Sequence, residues 1–253
     1  MLNTAFLETA DIDTSSDDYA SRFAGTIGAW LLQRQEEATL KMLAPYPNAK
    51  VLDVGGGHGQ LTGSLIEHDY QVTVLGSAEI CEARIQAFVN ANLCQFKVGN
   101  VLKLPYPDRT FDVVISYRFL AHVTQWQVFL CELTRVAKHA VIVDYPTLRS
   151  VNVIAPSLFK LKKRVEGNTR PFTCYRESEI VEFCRSLGLK QTKRCPQFVV
   201  PMVLHRLLKS PSLSSALEQG MQRSGLNSLL GSPVIAKFTK MRGGSVCSSQ
   251  LST

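Results

Sequence analysis

Between residues 50 and 145 the chain alternates short apolar runs with amphipathic stretches, an order that few folds accept. KVLDV, QVTVL, CQFKV, FDVVIS and HAVIVDYP are strand-length apolar runs. HGQLTGSLIEH, AEICEARIQAFVNAN and QWQVFLCELTRVAK carry apolar residues at helical spacing. Strands buried on both faces and separated by helices pair in parallel, with helices covering both sides of the sheet. The expected fold is α/β, a doubly wound and mostly parallel sheet. Further on, ESEIVEFCRSL predicts a helix ended by Gly188, and LKQTKRC and VIAKFTK supply two more strands, seven in all.

The flanking segments set the expected domain organisation. From Tyr19 to Leu43, Phe23, Ile27, Trp30 and Leu31 recur at helical spacing until Pro45 and Pro47 stop the pattern. Residues 1–45 therefore read as a helical N-terminal extension, polar and loose up to about Asp18. Residues 46–243 form the main domain, and the Ser-rich 244–253 reads as a disordered tail. Two insertions, 146–174 and 196–232, interrupt the alternation; the second is expected to hold one or two short helices. Long connections in a compact domain carry function or local structure. Both emerge near the ligand edge of the sheet, so together they read as a lid over a pocket, or as the interface of a homodimer.

Composition narrows the partners. The net charge of +7 over 253 residues favours an anionic partner or a solvated basic face. The densest basic cluster, Lys160, Lys162, Lys163 and Arg164, has no interleaved aromatics on which bases would stack, so nucleic acid is not expected. The seven cysteines show no C-x-x-C pair, which gives no metal site and points to buried thiols in a reducing compartment. No secretory pattern opens the chain, and no apolar run reaches the roughly 20 residues that span a bilayer. The expectation is a cytoplasmic protein without a transmembrane segment.

The chemistry concentrates in VLDVGGGHGQL, residues 51 to 61, where Asp53, Gly55, Gly56, Gly57 and Gly59 follow the first strand. Serial glycines at a strand end let backbone pass close to a ligand. A dinucleotide fingerprint starting at Gly55 would need glycine where Gln60 stands, and a phosphate-binding P-loop would need Gly-Lys-Ser or Gly-Lys-Thr. The stretch resembles motif I of the class I S-adenosylmethionine-dependent methyltransferases, in the type 11 manner. VGNVLKLPYPDRTFDVVISYRFLAHV, residues 98 to 123, is similar to a second stretch of the same family. The likeness is good over about residues 48 to 145, and hardly touches the two insertions.

The resemblance implies a Rossmann-like fold, S-adenosylmethionine as cofactor, and methyl transfer to an oxygen, nitrogen or carbon of a small or lipid-like acceptor. It places the cofactor along Asp53, the glycine loop, Gly76, Ser77, Asn100, Val101 and Ser116. One departure matters: Gly76 stands where the family carries the acidic residue that holds the cofactor ribose, so Ser77, backbone or Glu79 must serve instead. That gap keeps open a second reading, a methyltransferase-like binding protein without catalysis.

On the acceptor side, His122 is the candidate general base, or a residue bonding the following helix or backbone. Tyr145 and Asp144 contact the acceptor or form a plain turn before Pro146. Arg118 attracts an acidic acceptor or pairs within the protein. Arg170 and Arg206, in the two insertions, line the lid or are solvated.

Overall fold

The computed structural model describes residues 6–150 and 172–241. Its centre is a seven-stranded sheet of order β3-β2-β1-β4-β5-β7-β6. The strands are β1 (Lys50–Val54), β2 (Gln71–Gly76), β3 (Cys94–Val98), β4 (Phe111–Ser116), β5 (Ala137–Tyr145), β6 (Leu189–Phe198) and β7 (Ser232–Lys240). β1 to β5 pair in parallel, and β7 runs antiparallel to both β5 and β6. β1 lies between β2 and β4, with Asp53 in register with Val74 on one side and Ile115 on the other. The strand order reverses there, which puts the carboxyl end of β1 at the crevice where α/β sheets bind ligands.

Ten helices flank the sheet among the described residues: α1 (Ala10–Thr14), α2 (Asp17–Ser21), α3 (Gly25–Leu43), α4 (Thr62–Glu67), α5 (Gln86–Asn90), α6 (Trp126–Val136), α7 (Glu177–Ser186), α8 (Met202–Leu208), α9 (Pro211–Arg223) and α10 (Leu226–Leu230). On one face Phe129, Leu130 and Leu133 of α6 and Ile180 of α7 pack with Leu52, Val54, Val114 and Val141. On the other, Ala38 and Met42 of α3 and Leu65 of α4 pack with Val51, Val72, Val113 and Ile142. The double-sided apolar character of the strands follows from these two cores. The buried Lys237 ammonium donates to the Met42 carbonyl at 2.8 Å, a cation set against the negative end of α3.

Three local expectations are corrected. The segment before Asp18 is not loose: it forms α1 and the start of α2, with Glu8, Asp11, Thr14 and Ser15 buried. Its polar residues are turned inward to backbone donors and capping positions, a use that composition does not reveal. Residues 79 to 90 are not one helix but a 3-10 turn (Glu79–Glu82) followed by α5. β6 continues through Pro196 to Phe198, which is possible because it is an edge strand with its other side unpaired. Most of the first insertion lies outside the described residues. Its ends pair with each other, the Tyr175 N–H to the Pro146 carbonyl and the Leu148 N–H to the Tyr175 carbonyl.

The second insertion holds α8, α9 and α10, and packs on α3. The Trp30 indole donates to Ser215 Oγ at 2.9 Å and its ring lies 5.1 Å from that of His205.

Candidate active site

At the end of β1 the chain makes a 3-10 turn, Gly56–His58, between two left-handed glycines, Gly55 (φ 77°) and Gly59 (φ 69°). Only glycine adopts these angles without strain. The close approach expected at this loop is made in part by the chain itself. A Cβ at Gly56 would fall on the Asp53 carboxyl group, and one at Gly57 would lie 2.5 Å from Ser15 Oγ and 2.9 Å from Cys81 Cβ.

The Asp53 carboxyl group is wholly buried, and neither oxygen has a hydrogen-bond partner among the described residues. Burial raises its pKa to about 7. His58, also buried, accepts the Gln60 N–H at Nδ1 (3.2 Å), while its Nε2 makes no hydrogen bond of ordinary geometry among the described residues. Burial, then the charge of Arg118, lowers its pKa to about 3, so the ring is neutral. A buried carboxyl group with both acceptors unused, beside glycines that have no room for a side chain, suits an ammonium group with several N–H donors.

The next two strand ends are occupied differently from expectation. No side chain fits at Gly76, because a Cβ there would lie 2.7 Å from Cys81 Cβ and 3.0 Å from the Phe96 ring. The Ser77 hydroxyl, a candidate for the ribose, donates instead to Asp11 Oδ1 at 2.5 Å, and the Ser77 N–H donates to Asp11 Oδ2 at 2.6 Å. Asn100 accepts the Leu102 N–H at its Oδ1 (2.9 Å), closing a local turn. Val101 is a core residue packed with Leu52 and Leu75, not a groove residue. Ser116 is wholly buried, and its hydroxyl donates to the Val54 carbonyl at 2.8 Å, locking β4 to β1 rather than facing a ligand.

At the end of β4 the structure brings Arg118 and Arg206 to the Phe23 ring, with Asp144 bound to the Arg118 backbone. Arg118 has φ 58°. Its N–H donates to Asp144 Oδ1 (2.6 Å), its Nη2 donates to Gln35 Oε1 (2.7 Å), and the guanidinium lies 4.1 Å from the Phe23 ring centroid. Arg206 reaches the same ring at 5.8 Å and donates from Nε to the Arg22 carbonyl at 3.1 Å. Burial lifts the Asp144 pKa to about 6, against the opposing effect of Arg118.

His122 ends a 3-10 turn, Leu120–His122, after β4, and is half-buried. This turn is tied to the end of the first insertion, since the Tyr175 hydroxyl donates to the Leu120 carbonyl (2.9 Å) and the Thr173 N–H to the Ala121 carbonyl (2.8 Å). Tyr145 is a correction: its side chain is wholly buried in the core beside Tyr175, and burial pushes its hydroxyl far above the range of a useful acid or base. Arg170 lies outside the described residues.

Residues 52–143 match the family described as methyltransferase domain. That stretch of the chain belongs to the methyltransferase domain family. It runs from β1 through the glycine loop to β5, the part of the fold that carries the crevice. An uncharacterized methyltransferase of Schizosaccharomyces pombe is 33% identical over 100 residues, which are 35% of this chain and 36% of that protein. A demethylmenaquinone methyltransferase of Deinococcus radiodurans is 31% identical over 116 residues, 43% of this chain and 48% of that one. The chain thus spans less than half the length of these relatives. Over most of its length it shares the fold of magnesium protoporphyrin IX methyltransferase from Synechocystis, solved with bound S-adenosylhomocysteine. There the TM-score is 0.62 and the identity 14%, with 89% of this chain and 93% of that one covered.

Around the crevice the sequence reading missed Glu8, Asp11, His58 and Gln35, and within the second insertion it missed Glu218. His58 carried a signal, being the only non-glycine in GGGHG. Glu218 was the sole acid in the second insertion, and a lone acid among apolar and basic residues is a candidate for burial with partners. It accepts the Val199 and Val200 N–H groups and meets His205 Nε2 at 3.0 Å.

Proposed function

We propose that the chain transfers a methyl group from S-adenosylmethionine to a small or lipid-like acceptor with an apolar body. The observation that carries the reading is the partnerless Asp53 carboxyl group under a glycine loop at the strand-order reversal of a methyltransferase domain. Asp53 receives the ammonium of the cofactor's amino-acid end, and the backbone of residues 55–59 passes beside it. When bound, S-adenosylmethionine supplies a methyl already activated on a sulfonium.

The residues of the chain then contribute alignment and exclusion of water. Arg118, Gln35 and Phe23 offer a cation on an aromatic face at the end of β4, suited to a polar or acidic group on an otherwise apolar acceptor. His122 takes the acceptor proton where one must leave. On this side the second insertion packs on α3, with Arg206 reaching the Phe23 ring. Relatives named as methyltransferases of demethylmenaquinone and of 24-methylenesterol support a lipid-like acceptor class.

The experiment is calorimetric titration of the purified chain with S-adenosylmethionine, followed by transfer of labelled methyl to quinone, sterol and porphyrin acceptors. Saturable binding with labelled product supports the proposal. Binding without transfer to any acceptor favours the non-catalytic reading.

A further inference from the structure

Gly76 leaves the end of β2 without a carboxylate of its own, yet a carboxylate is present at that edge. It belongs to Asp11 of α1, 66 residues before Ser77. Asp11 is wholly buried. Its oxygens accept the Ser77 N–H (2.6 Å) and the Ser77 hydroxyl (2.5 Å), and the Cys81 thiol points at Oδ2 from 3.4 Å. All three donors are neutral.

The placement is fixed from both sides. Glu8 accepts the Thr124 and Gln125 N–H groups (2.7 and 3.2 Å) after β4. The Ser15 carbonyl accepts Arg84 Nε (3.0 Å), and Arg84 pairs with Asp17 (2.7 Å) beyond β2. Residues 8–17 therefore run as a strap from the β4 end to the β2 end, with Ser15 against Gly57 of the loop between them.

We propose that Asp11 is the ribose-binding carboxylate of this chain, delivered from the N-terminal strap because Cys81 and Phe96 leave no room for a side chain at residue 76. The assignment rests on the reading that the chain binds S-adenosylmethionine. A carboxylate offers about four acceptor positions. The Ser77 N–H keeps one, while the Ser77 hydroxyl and Cys81 thiol, each turning about a single bond, give way to the two vicinal hydroxyls of the sugar. The exchange replaces neutral donors by neutral donors, so the buried carboxylate is never stripped of its hydrogen bonds. Cofactor recognition and docking of the strap then become one event, and preference for ribose over a sugar without hydroxyls resides in residue 11.

The test is titration of the parent, Asp11→Asn and Ser77→Ala with S-adenosylhomocysteine and with its 2′,3′-dideoxy analogue. Asp11→Asn should weaken S-adenosylhomocysteine tenfold or more and change the dideoxy analogue by less than twofold. Ser77→Ala, which removes a competing donor, should tighten S-adenosylhomocysteine severalfold without affecting the analogue, and it carries the test should Asp11→Asn fail to fold. The proposal is overturned if Asp11→Asn binds S-adenosylhomocysteine as well as or better than the parent, as a strap that merely blocks the crevice would require. Equal losses for both ligands overturn it too, by making Asp11 a structural residue only. A parent that binds neither ligand refutes the methyltransferase reading itself.

Discussion

Replacing Asp53 by asparagine should make the cofactor-free chain more stable at pH 8 while leaving it nearly unchanged at pH 4.5. Burial raises the pKa of this carboxyl group from 3.8 to about 7, so the folded chain holds a proton that the unfolded chain releases. Its contribution is fully present below pH 3.8, falls as pH rises through the window up to 7, and is gone above it. About three units at 1.36 kcal/mol each give about 4 kcal/mol. Asp144, with its pKa raised to about 6, adds a loss of the same sign, so only the difference between variant and parent isolates Asp53. Asparagine has nearly the shape of the protonated acid and no charge to bury. Urea unfolding followed by circular dichroism should therefore show a gap of under about 1 kcal/mol at pH 4.5 that opens to about 3–4 kcal/mol in favour of Asp53→Asn at pH 8. Saturating S-adenosylhomocysteine should reverse the order at pH 8, because its ammonium pairs with the carboxylate. A gap that does not change with pH refutes the argument.

Glu218→Ala should lower stability by about 3–5 kcal/mol in urea, since it leaves two backbone N–H groups and His205 without their buried acceptor. Gly57→Val should abolish cofactor binding and free the N-terminal strap, seen as faster proteolysis before residue 18, because its side chain displaces Ser15 and Cys81. His122→Ala should lower kcat while leaving the cofactor Kd within twofold, with activity recovering as pH rises where the acceptor ionises by itself.

The sheet was legible because its central strands are buried on both faces and its glycine loop sits between β1 and α4; both facts are local. Asp53 and the glycines, the residues proposed to hold the cofactor, were legible as a strand end and tight loop for the same reason. What sequence reasoning lost were pairings across long separations. Asp11 in an acidic, Ser-rich opening reads as solvated, and only the fold carries it 66 residues along the chain to Ser77. Tyr145 and Ser116 stand at strand ends, where ligand contact is a reasonable expectation, yet one faces the core and the other bonds its neighbouring strand. Which way a terminal side chain turns depends on what packs against it, here Tyr175 and β1. Arg118 and Arg206 stood in the sequence as separate residues, and the Phe23 ring that both reach had only helical spacing to mark it.

The most direct measurement is calorimetric titration of the parent chain with S-adenosylmethionine at pH 8, where Asp53 is ionised, and again at pH 6. The account predicts one site per chain at pH 8 and affinity about tenfold weaker at pH 6, since a carboxyl group with pKa about 7 is then about nine-tenths protonated. Absence of binding at both pH values, or binding that Gly57→Val leaves intact, would contradict it.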